Sequence, residues 1–403
     1  MDDAAARDAL AKTVLIKLNG GLGTSMGMVK AKSLLPVRDG KSFLDIVVQQ
    51  VLSSRAHDDV PLPLLFMNSF NTSDDTMEAL RQYPQLPVGD LPLEFLQSQE
   101  PKVRTDDLTP VTWPADPSLE WCPPGHGDLY PSLLSSGVLQ MLVDAGFRYA
   151  SVSNSDNLGS RPDPQLAGWF AATGAPYAAE LCRRTPMDRK GGHLAIRNED
   201  GQLILRDTAQ TAEADMPYFT DENRHPFFHT NNLWFDLTRL LEALRERNGV
   251  LGLPMIRNVK NVDPKESSSP QVFQIESAMG AAIEVFDGAQ AIVVPRSRFL
   301  PVKTTNELLL IRSDAYTLDQ NGALELVGEQ APVVTLSSHY KKIDDFDQRF
   351  AQGVPSLVQA ESLTVEGDWA FGCDVTATGA AHLHTHGGKV PDGATIGPDG
   401  VPG

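Results

Sequence analysis

Residues 14–33, VLIKLNGGLGTSMGMVKAKS, constrain this chain more than any other stretch. The apolar run Val14-Leu15-Ile16 reads as a buried strand. Gly20, Gly21, Gly23 and Gly27 follow, and Lys30 and Lys32 form a basic end. Glycines directly after a strand let the backbone turn tightly and bring bare N–H groups against a ligand. Such groups suit an anion, and lysines nearby suit a phosphate. The plainer alternative is a glycine turn with no ligand, at a large entropic cost for a turn alone. Two commoner phosphate loops are excluded. Ala31 stands where a Walker loop needs its last glycine, and after Gly21 and Gly23 a dinucleotide fingerprint meets Met26.

The 403 residues, 41% of them hydrophobic, are enough for a sizeable core and predict one large domain plus a smaller one. A net charge of −18 argues against a nucleic-acid binder. It leaves room for an anionic small ligand, because screening over about 8 Å lets local lysines dominate a pocket. No apolar run reaches a membrane span of about 18 residues, and MDDAAARDALAK lacks a signal-peptide core. Cys122, Cys182 and Cys373 are far apart, make no zinc spacing and read as reduced thiols. A cytoplasmic protein is expected.

Residues 42–55 predict an amphipathic helix with Ser42 as N-cap. Leu64–Met67 and residues 93–97 read as strands, with a helix capped by Thr72 or Ser73 between them. This rhythm predicts a parallel, doubly wound sheet, whose ligands bind beyond the C-terminal ends of its strands. The glycine loop, Asn68 and Gln97 fall at such ends. WCPPGHGDLY precedes a helix expected from Tyr130 to about Ala145, and the glycines around His126 leave it accessible. His126 read alone is as well an ordinary loop histidine. YASVSNSDNLG reads as a strand displaying Asn154 and Asp156 on one face. A carboxylate beside an amide there can hold Mg²⁺ or can simply cap an Asx turn.

Residues 176–235 look antiparallel, with a hairpin turning at Asp200-Gly201. Residues 272–286 open as a strand and are expected to continue as a helix, with Glu276 and Ser277 near its start as a cap or a sugar contact. Arg296, Arg298 and Lys303 follow in a proline-held turn before a helix, where a fixed Lys303 would be a good phosphate ligand. A solvated basic loop is the alternative. From about Leu336 short β-rich pieces punctuated by glycine predict a few coils of β-helix. His382, His384 and His386 alternate along one piece, but with no carboxylate or cysteine nearby in sequence they are expected to be a plain histidine face rather than a metal site. The last residues, PDGATIGPDGVPG, are expected to fray.

The loop Leu18-Asn19-Gly20-Gly21-Leu22-Gly23-Thr24-Ser25-Met26-Gly27 resembles that of the UTP–glucose-1-phosphate uridylyltransferase family, eukaryotic-type branch. Pro123-Pro124-Gly125-His126-Gly127-Asp128, the Asn154 to Asn157 phrase, Lys190-Gly191-Gly192, Thr230-Asn231-Asn232-Leu233-Trp234 and Arg298 to Thr305 match further family phrases in order. The resemblance runs from about residue 14 to 390. Ala31 replaces a proline usual before the loop lysine, Val29 a common lysine, and His229 an asparagine. The β-helix stops early relative to the family, which predicts a monomer or small homo-oligomer.

The resemblance implies an α/β fold: a doubly wound mixed, Rossmann-like nucleotidyltransferase sheet over 1–335 and a small left-handed β-helix over 336–403. It implies reversible transfer of UMP from UTP to glucose 1-phosphate, giving UDP-glucose and pyrophosphate, with Mg²⁺ as cofactor. By the same resemblance, Leu18, Gly20, Gln97 and Gly125 would hold uracil. The glycine loop, including Gly21, and Lys32 would hold the triphosphate. Asp156 would carry Mg²⁺, and His126, Asn154 and Asn231 would orient the sugar. Lys303 would clamp the sugar phosphate, and with Lys32 it forms the expected catalytic pair. A UDP-sugar or UDP-N-acetylglucosamine pyrophosphorylase, or a non-catalytic nucleotide-sugar sensor, are the alternatives.

Overall fold

The apolar run Val14-Leu15-Ile16 folds as a strand because it is buried on both faces. In the computed structural model, which describes residues 2–185 and 188–401, it is β1, Thr13–Asn19. Six further strands complete its sheet: β2 (Leu64–Asn68), β3 (Glu94–Leu96), β4 (Tyr149–Asn154), β5 (Tyr177–Arg183), β6 (Phe227–Asp236) and β7 (Gln290–Val293). Their order is β7-β5-β6-β4-β1-β2-β3. β1 pairs in parallel with β2 and β4, and β2 with β3. β6 runs antiparallel to both β4 and β5, so the sheet is mixed, as the resemblance implies, and not wholly parallel.

All these strands belong to the first of two units, Met1–Gly20, Arg55–Asn154 and Pro162–Arg296. Its core joins Val14, Ile16, Leu65, Met67, Val152 and Phe235 of the sheet to helical residues such as Leu133, Leu139, Leu240 and Leu244, all nearly solvent-free. At about 25 cal/mol per Å² of apolar surface removed from water, burial of this kind does most to hold the helices on the sheet.

Two helical expectations are corrected here. The segment after Tyr130 is two short helices, Leu129–Ser135 and Val138–Asp144, because Gly137 takes a left-handed conformation at φ +78°. The chain after the strand Gln271–Ser277 forms a 3₁₀ stretch, Met279–Glu284, not an α-helix. Its small residues Gly280, Ala281 and Ala282 are fully or nearly fully enclosed, so apolarity there reports burial rather than helical period. Glu276 and Ser277 accordingly end a strand and cap nothing. The expected helix at 42–55 is Phe43–Asp58, with Ser42 Oγ accepting from the Asp45 amide at 3.2 Å.

The second unit comprises Gly21–Ser54, Ser155–Arg161 and Ser297–Gly403. Among its strands are β8 (Val333–Leu336), β9 (Ser356–Val365), β10 (Trp369–Phe371), β11 (Thr376–Leu383), β12 (Gly388–Val390) and β13 (Thr395–Ile396). β8-β9-β11-β13 form one sheet and β10-β12 another, and every neighbouring pair is parallel. Leu357, Leu363, Phe371, Leu383, Val390 and Ile396 are buried. The fraying expected near the end is corrected: β13 pairs with β11, and Gly397 bridges Gly400. Pro402 and Gly403 of that stretch lie outside the described residues. No helix among the described residues is long and apolar enough to cross a membrane.

Candidate functional site

The residues singled out in the sequence divide between the units. Leu18, Gly20, Gln97, Gly125, His126, Asn154 and Asn231 lie in the first, and Gly21, Lys32, Asp156 and Lys303 in the second.

In the first unit, strand ends bring the expected residues close. Leu18 of β1 is in register with Asn154 of β4. Ser69 Oγ donates to the Gly20 carbonyl at 2.9 Å, and the Gln97 amide N–H donates to the Asn68 carbonyl at 2.8 Å. Gln97 Nε2 donates to the Gly125 carbonyl at 3.3 Å. A Cβ on Gly20 would stand 2.0 Å from Gln97 Oε1, so this position admits only glycine while Gln97 keeps its place. Gly125 is fixed more rigidly: φ is +78°, and a Cβ would meet the Ser277 carbonyl at 2.7 Å. Asn19 and Asn68 are buried and bonded to each other, Nδ2 to Oδ1 at 2.7 Å, which leaves Asn68 a structural part.

His126 opens a 3₁₀ turn, and its Nδ1 accepts from the Met279 amide at 2.9 Å. An accepting Nδ1 assigns the proton to Nε2 and makes the ring a neutral donor. Burial also pushes its pKa below the usual value. His229 behaves alike. Its Nδ1 accepts from the Asn231 amide at 3.1 Å, and burial followed by repulsion from His126 lowers its pKa to about 4. Asn231 takes a left-handed conformation, φ +61°, beside that bond. Asn232 is spent elsewhere: with the Trp234 indole it donates to the fully buried carboxylate of Glu180, at 3.1 and 2.8 Å.

In the second unit one ammonium joins a carboxylate and a backbone carbonyl. Lys32 Nζ lies 2.6 Å from Asp156 Oδ2 and also donates to the Val302 carbonyl. The Lys32 amide donates to the Gly21 carbonyl at 3.1 Å, which folds the glycine loop back on its lysine. Asp156 departs from expectation. β4 ends at Asn154, so Asp156 sits in the turn that follows, and strand alternation does not place it. Asn157 fixes this turn: its Nδ2 donates to the Arg298 carbonyl at 3.1 Å and its Oδ1 accepts from the Leu300 amide at 2.8 Å. Asp156 Oδ1 is buried and has no hydrogen-bond partner among the described residues.

Lys303 follows the buried Val302 and precedes Thr304, which caps the helix Thr305–Arg312 in a full capping box with Glu307. Its backbone is thereby held on both sides. Its side chain is exposed and unpaired among the described residues. Arg296 and Arg298 do not join it: Arg296 pairs with Asp188 at 2.7 Å, and the buried Arg298 donates to the Arg161 carbonyl at 3.0 Å. Sequence reading missed the Val302 carbonyl and the structural office of Asn157. The first carries no side-chain signal. The second was visible in the Ser-Asp-Asn phrase.

A carboxylate with an open oxygen can take a cation, and a lysine ammonium can take phosphate. The first unit offers neutral donors and carbonyls of the kind that read a base and hydroxyls. The family described as UTP–glucose-1-phosphate uridylyltransferase matches residues 1–377. The enzyme of that name from Saccharomyces cerevisiae is 40% identical over 394 residues, 96% of this chain and 77% of its own. That of Solanum tuberosum is 39% identical over 406 residues, 98% and 82% of the two chains. A point variant of UDP-glucose pyrophosphorylase from Leishmania major, solved in complex with UDP-glucose, superposes with a TM-score of 0.91 at 46% identity, covering 99% of this chain and 86% of that one. These matches place the chain in the UTP–glucose-1-phosphate uridylyltransferase family.

Proposed function

We propose that the chain transfers UMP from UTP to glucose 1-phosphate, releasing pyrophosphate and forming UDP-glucose. It is a nucleotidyltransferase. The observation that carries this reading is the Lys32–Asp156 pair with the open Asp156 oxygen, in a chain of this family. A phosphate oxygen of the sugar attacks the α-phosphorus of UTP, the bond to the β-phosphate oxygen breaks, and pyrophosphate departs opposite. The chain supplies no nucleophile. Its contribution is positioning and neutralisation of charge.

Gln97, Gly125, Leu18 and Gly20 are read as the uracil holders, since they offer an amide and carbonyls at strand ends. His126, as a neutral Nε2 donor, suits a sugar hydroxyl, and Asn154 and Asn231 complete that group. Gly21 and Lys32 are read as triphosphate ligands, and Lys303 as the clamp on the sugar phosphate. Asp156 fits a divalent cation, because its orphaned oxygen lacks a partner that a hard cation would supply. Mg²⁺, when bound, would neutralise phosphate charge there.

Support for a β-helix over 336–403 is the all-parallel pairing of β8 to β13, while its left hand and a catalytic domain over 1–335 rest on the resemblance. A monomer or small homo-oligomer remains our reading of assembly, to be weighed by light scattering. Pyrophosphate release from UTP with glucose, galactose or N-acetylglucosamine 1-phosphate tests the function. Turnover with glucose 1-phosphate at least tenfold above the other two supports the reading. Comparable rates would make the chain a broad UDP-sugar pyrophosphorylase, and no pyrophosphate at all would make it a nucleotide-sugar sensor.

A further inference from the structure

The alternating histidines near the end have a neighbour that sequence distance hides. β9 and β11 are parallel, with Thr364 level with His382 and Val365 level with Leu383. Glu366 comes next on the first line and His384 on the second, and the Glu366 amide donates to the Leu383 carbonyl at 2.9 Å. A carboxylate therefore does accompany the histidines, which corrects the expectation drawn from sequence. Glu366, His382 and His384 each offer one ligand atom, and the three atoms lie within 4.8 Å of one another. Glu366 Oε2 is 3.3 Å from His382 Nε2. That nitrogen is buried and makes no aligned hydrogen bond among the described residues.

We propose that Glu366, His382 and His384 form a binding site for a borderline transition-metal ion such as Zn²⁺, separate from the residues assigned to UMP transfer. Two imidazoles and one carboxylate are the donor set that zinc, nickel and copper favour over magnesium. Ligand atoms around one zinc, at bonds of about 2.0–2.2 Å, stand roughly 3–3.5 Å apart. The Glu366–His382 pair already has that spacing, and the exposed His384 ring closes the rest by rotation. The backbone beneath is fixed: the His382 amide donates to the Gly397 carbonyl at 3.0 Å, and the His384 carbonyl accepts from the Trp369 indole at 2.7 Å. His386 is turned to another task, its ring set edge-on to Trp369 at 4.8 Å. Three protein ligands leave room for water in the remaining position. A metal held here ties β9 to β11 by side chains as well as by the ladder.

The test is calorimetric titration of the full chain, carrying no polyhistidine tag, with Zn²⁺ alone against a background of excess Mg²⁺. One zinc per chain is expected. His384→Ala and Glu366→Gln should each weaken it at least tenfold, whereas His339→Ala, an exposed histidine elsewhere in the unit, should not. Both ligand positions are exposed, so both variants should keep the wild-type circular dichroism and rate of UMP transfer. At zinc a hundredfold above its Kd, the folded form is favoured about 100-fold, so the thermal midpoint of the wild type rises and those of the two variants do not. No saturable zinc site, an isotherm unchanged by the two substitutions, or equal weakening by His339→Ala would overturn the proposal.

Discussion

The two units hold the residues proposed for function in opposite ways. In the first, several of the proposed ligand-binding residues are tied to protein before any ligand arrives. Gln97 is held by Gly125 and Asn68, His126 by Met279, and Asn231 by His229. In the second, charge is left partly unspent: Asp156 keeps an orphaned oxygen, and Lys303 has no partner among the described residues. On the proposed assignment, fixed donors and acceptors suit a neutral base, and groups free to take up charge suit phosphate.

If that division is right, the largest losses come from the second unit. Asp156→Asn should remove Mg²⁺-dependent turnover, a fall of about 10³ or more, with the fold unchanged by circular dichroism. An unaltered rate across Mg²⁺ concentrations would end the metal assignment. Lys303→Ala should cost about 10²–10³ in kcat with a smaller change in KM, because the contact strengthens in the transition state. Lys303→Arg should recover little, since a planar fork does not replace a point charge. A wild-type kcat with weaker glucose 1-phosphate binding would reduce Lys303 to a ground-state ligand.

The first unit should respond in binding. A methyl on Gly20 displaces the Gln97 amide, so Gly20→Ala should raise KM for UTP about tenfold, or about 1.4 kcal/mol, and leave kcat within about threefold. A mainly kcat effect would break the contrast between the units.

The units should also part in acid. His193 is pushed to about 3 by burial, then by His225 and Arg184, and His229 is held near 4. His126 is lowered as well. All three lie in the first unit, and the folded form there binds fewer protons than the unfolded chain, whose histidines titrate near 6.5. Their contribution is full above about pH 6.5 and is lost as pH falls toward 4 and 3. Each adds a slope of up to about 1.4 kcal/mol per pH unit. The described histidines of the second unit are exposed or half-buried. Hydrogen exchange at pH 5 should therefore loosen peptides of β5 and β6 before those of β9 and β11, and simultaneous loosening would refute the asymmetry.

The smallest effect concerns Ala31, which is buried with φ −51° and ψ 128°, close to what proline imposes. No backbone acceptor takes its N–H among the described residues. Ala31→Pro should stabilise by about 0.4–1 kcal/mol through the unfolded chain. A lowered thermal midpoint would show that the enclosed space cannot take the ring.

How much of this was legible follows the range of the signal. Val14 to Ile16 reported their own burial, and the strand followed. The glycine wording carried the family. Gly137 was in plain view, yet only the fold shows that it turns left-handed and divides a helix. Lys32 and Asp156 are 124 positions apart, and nothing local announces their pairing. Glu366 was invisible for the same reason: parallel register, not sequence spacing, brings it beside His382.

The Lys32 ammonium has three N–H bonds to give. Asp156 and the Val302 carbonyl hold two of them. One phosphate oxygen can therefore be accepted without disturbing anything. A second must displace either the carbonyl beside Lys303 or the carboxylate. If the carboxylate yields, both oxygens of Asp156 come open together. Proton supply at a single nitrogen thus sets the order in which this part of the chain can change partners.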